Sequence, residues 1–352
     1  MKGNSIILER SKEISSKEMQ ILISVIHKYN LELISAEKVR NSYMIITNNG
    51  KFCLKRRKHG KTRIRNECIL TQELLLNDFT NIAKYFKTND ASFSVSYKKS
   101  IYFLKEWIEG SECDLTNIDE AVNCIKLLAQ FHNISKKVDH NKIYISKKIK
   151  NLPKSFSHNL SNMEKLERII VSKRIKNEFD ILYLENANDF YYRGIAAIDI
   201  LNKSQYYKLL KSSIDNKLIC HNSFYYQNII KKDGKYFIID LDSISIDLQI
   251  CDLGKLIRRL MFKKAYVWNF YFAKALIEAY SSINKLSKED LNIILALITF
   301  PYSFFKLGRK RYIKHKKWSE TKYLHKLSKI TKYNEIQQKF FNDYSAYVKE
   351  YI

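Results

Sequence analysis

Near two thirds of the way along the chain, ICHNSFYYQNII (219–230) precedes FIIDLDS (237–243). The first stretch sets a histidine, His221, a hydroxyl, Ser223, and an amide, Asn228, in a tyrosine-rich turn, and the second ends a strand on Asp240. Asn228 and Asp240 together offer a neutral and an anionic oxygen, the hard ligands that Mg²⁺ prefers. Such a set suits phosphoryl transfer, in which the protein positions phosphates and neutralises charge. Ser223 is the odd member, because a serine hydroxyl is no general base near pH 7. The plain alternative is an ordinary hairpin turned by Asp233-Gly234. A phosphate-binding cation is available in KFCLKRRK (51–58), where Lys55 ends a strand and competes with the alternative of a solvated basic run.

The elements that must hold these residues change period along the chain. Ile21, Ile23, Val25 and Ile26 predict a helix over about 17–28. LELIS, SYMIIT and KFCLKR are short and rich in β-branched or aromatic residues, with the tight-turn signal Asn48-Asn49-Gly50 between the last two. RIRNECILTQELLLND (63–78) returns to helical spacing, and SFSVSYKKSIYFLKEWIEG (92–110) supplies two more strands and a connector. Residues 1–110 therefore read as an N-lobe with an N-terminal helix, a five-stranded antiparallel sheet and one further helix. Residues 111–352 read as a helical C-lobe that carries the hairpin at 219–243. Its first helix opens with Thr116 three residues before Asp119, a capping-box pattern. Residues 136–158 read as a surface excursion, two helices are expected within 161–214, and others near 252–282, 287–300 and 335–350. The fold class is α+β.

A chain of 352 residues with 45% apolar side chains can bury two cores without disulfides or metals. The six cysteines are scattered without a Cys-x-x-Cys pair, which predicts reduced, buried thiols. The N-terminal MKGNSIILERSKEISSKE lacks an apolar core of signal-peptide length, and no uninterrupted apolar run reaches membrane-spanning length, so neither export nor a membrane span is expected. The net charge of +26 attracts polyanions, unless the lysines are merely spread over solvated faces. The one concentrated patch is FKLGRKRYIKHKKW (305–318); nucleic acid is the least favoured partner, and its binding would weaken steeply with salt.

A sheet-rich small lobe, a connector and a helical lobe interrupted by a late hairpin is similar to the layout of kinase-like phosphotransferases. The loop 221–228 resembles the His-Gly-Asp-x-x-x-x-Asn loop of the aminoglycoside- and choline-type enzymes. That resemblance implies a bilobal protein-kinase-like fold, with a small antiparallel β-sheet N-lobe and a larger, mainly helical C-lobe. It implies that Lys55 meets nucleotide phosphates and that an acidic residue of the next helix, Glu67 or alternatively Glu73, orients it. It places the backbone of Glu106, Trp107 and Ile108 behind an adenine, Asn228 and Asp240 on Mg²⁺, and Asp252 in CDLGKL at a structural position. This chain departs from the pattern at Ser223, which stands where those enzymes have the catalytic aspartate, and at Asn222, which replaces a glycine. Ser35–Ser42 also lacks the glycines of a phosphate-gripping loop.

A narrower resemblance, to the CotS-like spore coat proteins, rests on YFLKEWIEGSECD (102–114), CHNSFYYQNII (220–230), FIIDLDSISIDLQICDLGKLIRRLM (237–261) and FPYSFFKLGRKRY (300–312). It implies synthesis in the mother-cell cytoplasm and deposition on the spore coat, with other spore coat proteins as partners. Retained Lys55, Asn228 and Asp240 favour binding of ATP and Mg²⁺, whereas Ser223 at the position of the catalytic aspartate, two residues after His221, argues against efficient transfer. The alternative is an active ATP-dependent phosphotransferase acting on a small molecule or a coat protein.

Overall fold

The computed structural model describes residues 14–145 and 149–351. The expectation of no export signal falls largely on residues 1–13, and part of the predicted surface excursion on 146–148, outside the described residues. In chain order the first elements are α1 (Ser16–Ile26), β1 (Leu33–Val39), β2 (Ser42–Thr47), β3 (Gly50–Arg57) and α2 (Lys61–Leu76). Strands β4 (Tyr85–Phe86), β5 (Val95–Tyr97), β6 (Ser100–Glu106) and β7 (Ser111–Glu112) follow, then helices α3 (Ile118–Ser135), α4 (Leu152–Val171), α5 (Glu178–Lys203) and α6 (Tyr206–Asp215). After β8 (Ile219–Cys220), β9 (Ile229–Lys232), β10 (Lys235–Ile238) and β11 (Ser245–Ile246) come α7 (Ile250–Met261), α8 (Phe270–Ser281) and α9 (Lys288–Thr299). The last three helices are α10 (Tyr302–Tyr312), α11 (Glu320–Thr331) and α12 (Asn334–Glu350).

The chain forms two compact units. The first comprises residues up to Cys113, Lys137–Ile145 and Gln227–Ile244; the second comprises Asp114–Lys136, Ser146–Tyr226 and the chain from Ser245. The division is not the single cut after residue 110 that the sequence suggests, because β9 and β10 of the hairpin belong to the first unit. Pairing explains this: β9 takes β7 through Ser111↔Lys231 and Glu112↔Ile230, and the backbone of Ile238 is bonded to Asn81 and Ala83. Gly110 makes the approach possible, since a Cβ there would lie 2.3 Å from the Lys231 carbonyl oxygen.

The first unit is built on an antiparallel sheet in the order β1-β2-β3-β6-β4, with β5 also pairing β6. It has six strands where five are expected; the extra one, β4, is two residues long and too short to show a period. Opposite residues of paired antiparallel strands share a face. Leu54 of β3 and Leu104 of β6 therefore pack on one side with Leu22, Val25 and Ile26 of α1. Phe103 packs on the other with Ile64 and Cys68 of α2. That second face carries Cys53, Lys55 and Arg57, and across from Cys53 it carries Lys105. The Arg40-Asn41 link between β1 and β2 is a two-residue turn, closing on Val39↔Ser42. It leaves no loop to wrap phosphates.

The second unit is a helical bundle. Asn117, not Thr116, caps α3, accepting from the backbone N–H groups of Asp119 and Glu120. The expected excursion becomes helical at α4, whose start is fixed by the cap Asn151 and by Pro153, with Leu152 and Phe156 buried. Three helices, α4 to α6, thus occupy the region read as two. The helix read across 252–282 is two, α7 and α8, because Val267 and Trp268 adopt positive φ between them. Lys288–Tyr312 is long and apolar enough to cross a membrane, but 78% of its apolar window is buried in the structure and Pro301 separates α9 from α10. It supplies core, with Leu291, Ile294 and Phe304 fully buried. None of the six cysteines is in a disulfide.

Candidate active site

In the first unit the hairpin β9–β10 is closed by Asp233 (φ 48°) and Gly234 (φ 73°), the two positive-φ positions of a tight turn that suits strand twist. Its register continues past the strands, where the Ile239 N–H donates to the Asn228 carbonyl at 3.0 Å. Asn228 and Asp240 are thereby held at the same end of the hairpin. The Asp240 carboxylate is one-eighth exposed, and its Oδ2 accepts from Lys55 Nζ at 2.7 Å. Lys105, fully buried, donates to the carbonyl of the preceding Ile239 and lies 4.8 Å from the Tyr85 ring centre. Burial pushes the Asp240 carboxyl up, but Lys105, Lys55 and Arg57 outweigh it and hold it below the usual range. Burial, aided by the charge on Lys55, lowers the pKa of the Lys105 ammonium.

Neither acidic candidate meets Lys55. Glu67 accepts from Arg57 Nη1 at 2.5 Å and from the Tyr85 hydroxyl at 2.8 Å, while Glu73 takes Lys142 Nζ at 2.7 Å. The expected Lys55–Glu67 pair is therefore replaced by Lys55–Asp240 and Arg57–Glu67. Arg57 sits on the same face as Lys55 but one pleat repeat nearer to the start of α2, so its fork reaches Glu67 first. Its Nη2 also lies 3.6 Å from Asp242. Burial raises the Glu67 pKa despite Arg57. Lys55, Arg57 and Lys105 balance Glu67, Asp240 and Asp242, so the face is neutral in sum.

Of the connector residues, Glu106 ends β6, and its N–H is already given to the Lys84 carbonyl at 2.9 Å. That donor is not open to a ligand. Trp107 and Ile108 follow with half-buried side chains.

The second unit organises the loop around Asp252, in the first turn of α7. Its Oδ2 accepts from the His221 N–H at 2.6 Å and from His132 Nε2 at 3.2 Å; its Oδ1 accepts from the Asn222 N–H at 2.8 Å. Burial opposes ionisation, yet His132 and Lys255 hold the Asp252 carboxyl down at about 2. His132 Nδ1 faces the Tyr280 hydroxyl at 2.8 Å, and burial lowers the His132 pKa. Asn222 has φ 62°, in the left-handed region that glycine and asparagine enter most readily. Its side chain secures it, donating to Ser245 Oγ at 2.7 Å and accepting from Lys255 Nζ at 2.9 Å. His221 is fully buried beside Phe131 and Phe224. Its Nδ1 lies 3.3 Å from both the N–H and the Oγ of Ser223. The Ser223 hydroxyl is thus tied to an imidazole inside a loop held rigid by a buried carboxylate.

The structure brings Lys55 to Asp240 and His221 to Ser223, each pair within one unit. Arg57, Lys105 and His132 were not singled out from the sequence. Strand parity carried a signal for the first two, since Arg57 is two residues beyond Lys55 and Lys105 pairs across from Cys53. The residues fit a divalent cation in one respect. Asp240 Oδ1 is buried without a hydrogen-bond partner, leaving lone pairs on the residue the hairpin sets beside Asn228. Among the described residues no cluster of three His, Cys, Asp or Glu offers an all-protein metal cage. That composition suits Mg²⁺ held by one carboxylate and completed by phosphate oxygens.

A β-sheet unit carrying a lysine and a hairpin aspartate, with a helical unit carrying a carboxylate-anchored loop, is the kinase-like phosphotransferase fold. An aminoglycoside phosphotransferase from Alicyclobacillus acidocaldarius shares it with TM-score 0.84 and 17% identity, over 98% of this chain and 99% of that one. A spectinomycin phosphotransferase solved with ADP and spectinomycin matches at TM-score 0.60 and 14% identity, covering 91% and 98%. An amicoumacin kinase solved with AMP-PNP and Ca²⁺ matches at 0.59 and 12%, covering 92% and 93%. Within this fold the chain belongs to a spore coat family: residues 23–344 match the family model described as "Spore coat putative kinase YutH". It is also 25% identical to Spore coat protein S of Bacillus subtilis over 268 residues, 74% of each chain.

Proposed function

We propose that this protein acts in assembly of the spore coat, together with other coat proteins, through a kinase-like scaffold that holds ATP and Mg²⁺ but has given up efficient phosphoryl transfer. The observation that carries the proposal is the Ser223 hydroxyl, bonded to buried His221 in a loop otherwise kept in shape. Loss of a general base costs about 10²- to 10⁴-fold in rate, and no carboxylate of the loop stands in for it. Asp240 with its unpartnered oxygen, Asn228 and Lys55 are the groups that would hold the metal and the phosphates. Mg²⁺ bound there would neutralise phosphate charge. Lys55 would have to turn from Asp240 towards a phosphate, so nucleotide and metal binding are coupled.

A thermal-shift titration with ATP and Mg²⁺ tests the binding half of this proposal. Wild type should be stabilised and Asp240→Ala should not be. No shift in either protein removes nucleotide binding and leaves only the scaffold role.

The retained loop favours a second reading, an active transferase on a small molecule or coat protein. The left-handed Asn222 and the Asp252 anchor keep the loop in a shape in which a substrate hydroxyl with its own internal base could react slowly. Mg²⁺-dependent ADP release that is lost in Asp240→Ala would support it.

A further inference from the structure

We propose that the face built by α10, residues 313–319 and α11 is a docking surface for acidic polypeptide. Residues 302–332 contain eleven lysines and arginines and one acid, Glu320, and so carry ten of the chain's 26 excess positive charges. Five of these cations fall into two sets. Arg311 turns inward: its side chain is one-tenth exposed, pairs with Glu320 at 2.7 Å, and lies 4.5 Å and 4.9 Å from the ring centres of Phe179 and Tyr323. The single acid of the segment is spent on this structural arginine.

The second set gathers round the half-buried indole of Trp318. The ammonium groups of Lys310, Lys316, Lys322 and Lys326 lie 4.7, 5.4, 5.0 and 5.4 Å from its ring centre. Lys316, Lys322 and Lys326 are exposed. The ring face attracts each amine, and so gathers four like charges round one side chain. Burial, then the charges of Lys306, Lys316, Lys326 and Lys314, lowers the pKa of Lys310, a sign of that crowding. A polyanion relieves the repulsion at several points at once.

Two features favour carboxylates on a polypeptide over nucleic acid. Single-stranded nucleic acid gains much of its affinity by stacking bases on open aromatic faces, but the Trp318 ring is already covered by amines, and Tyr312 and Tyr323 are buried. The outward cations are nearly all lysines, point charges without the bidentate fork that reads phosphate or base edges. The choice of a protein as the partner rests on the assembly role proposed above.

Fluorescence anisotropy with a labelled oligo-glutamate and with single-stranded DNA of equal charge tests the surface on the full chain. The peptide should bind, and replacing Lys310, Lys316, Lys322 and Lys326 together by Gln should weaken it at least about tenfold and flatten its salt dependence. A charge-matched control, Lys165, Lys208, Lys211 and Lys232 to Gln, should change affinity by less than about twofold. Equal loss in both variants would show a diffuse charge effect and overturn the proposal. So would absence of peptide binding, or tighter binding of the DNA. Melting curves confirm that both variants fold. Location of the protein in purified spore coats separates the two readings: peptide binding without coat deposition sinks the assembly role alone, and deposition with full affinity in the patch variant sinks the surface alone.

Discussion

Partly buried Asp240 and buried Asp252 both have depressed pKa values, and they are held in opposite ways. Asp252 spends both oxygens on donors fixed by the fold, two backbone N–H groups and a buried imidazole. Asp240 is held by the end of a lysine side chain and by two further cations at longer range, and keeps one oxygen without a partner. A carboxylate whose two oxygens are both committed to donors fixed by the fold is structural. One whose partner can swing away, and which carries a spare acceptor, is available to a ligand. The difference places the shape of the loop on Asp252 and leaves Asp240 out of it.

Mutation should separate the two most widely. Asp252→Ala strands the His221 and Asn222 N–H groups and should cost about 3–5 kcal/mol in urea unfolding, whereas Asp240→Ala should cost roughly 1 kcal/mol, because Lys55 can reach water. Equal losses would erase the distinction. Arg57→Met, which leaves buried Glu67 without its guanidinium, should cost about 2–3 kcal/mol, more than Lys55→Met. The reverse ranking would mean that Lys55 carries the fold.

Acid sharpens the comparison further. The Asp252 pKa is lowered from 3.8 to about 2 in the folded chain, so its contribution is complete above pH 4 and is lost as pH falls towards 2. By linkage it amounts to roughly 2 kcal/mol. The stability gap between wild type and Asp252→Asn should narrow over that window in urea titrations, and a gap that stays constant would contradict the assignment. Smallest of all is the difference between Asn222→Gly and Asn222→Ala: both lose the side-chain bonds to Ser245 and Lys255, and alanine should cost about 1 kcal/mol more because only glycine adopts the left-handed φ without strain.

Much of this was legible in the chain. Turn signals at Asn48-Asn49-Gly50 and Asp233-Gly234 fixed two hairpins, and the spacing from His221 to Asp240 located the loop and the hairpin aspartate. What escaped depended on tertiary reach. The Lys55 partner could not be chosen from helix periodicity, since Arg57 competes for Glu67 and the hairpin returns Asp240 to the sheet. Strand β4 was hidden by its two-residue length, and the start of α4 by a lysine- and serine-rich composition that a capping Asn151 overrides. Asn222 read only as a departure from a glycine, while its left-handed φ and its bonds to Ser245 and Lys255 depend on residues far along the chain.

The most direct test of the central claim is Mg²⁺-dependent ADP release by wild type and by Ser223→Asp, measured side by side. The account predicts background release from wild type and a gain of about 10²-fold or more in the variant, since serine alone stands where the base should be. Wild-type turnover equal to or above that of Ser223→Asp would contradict it.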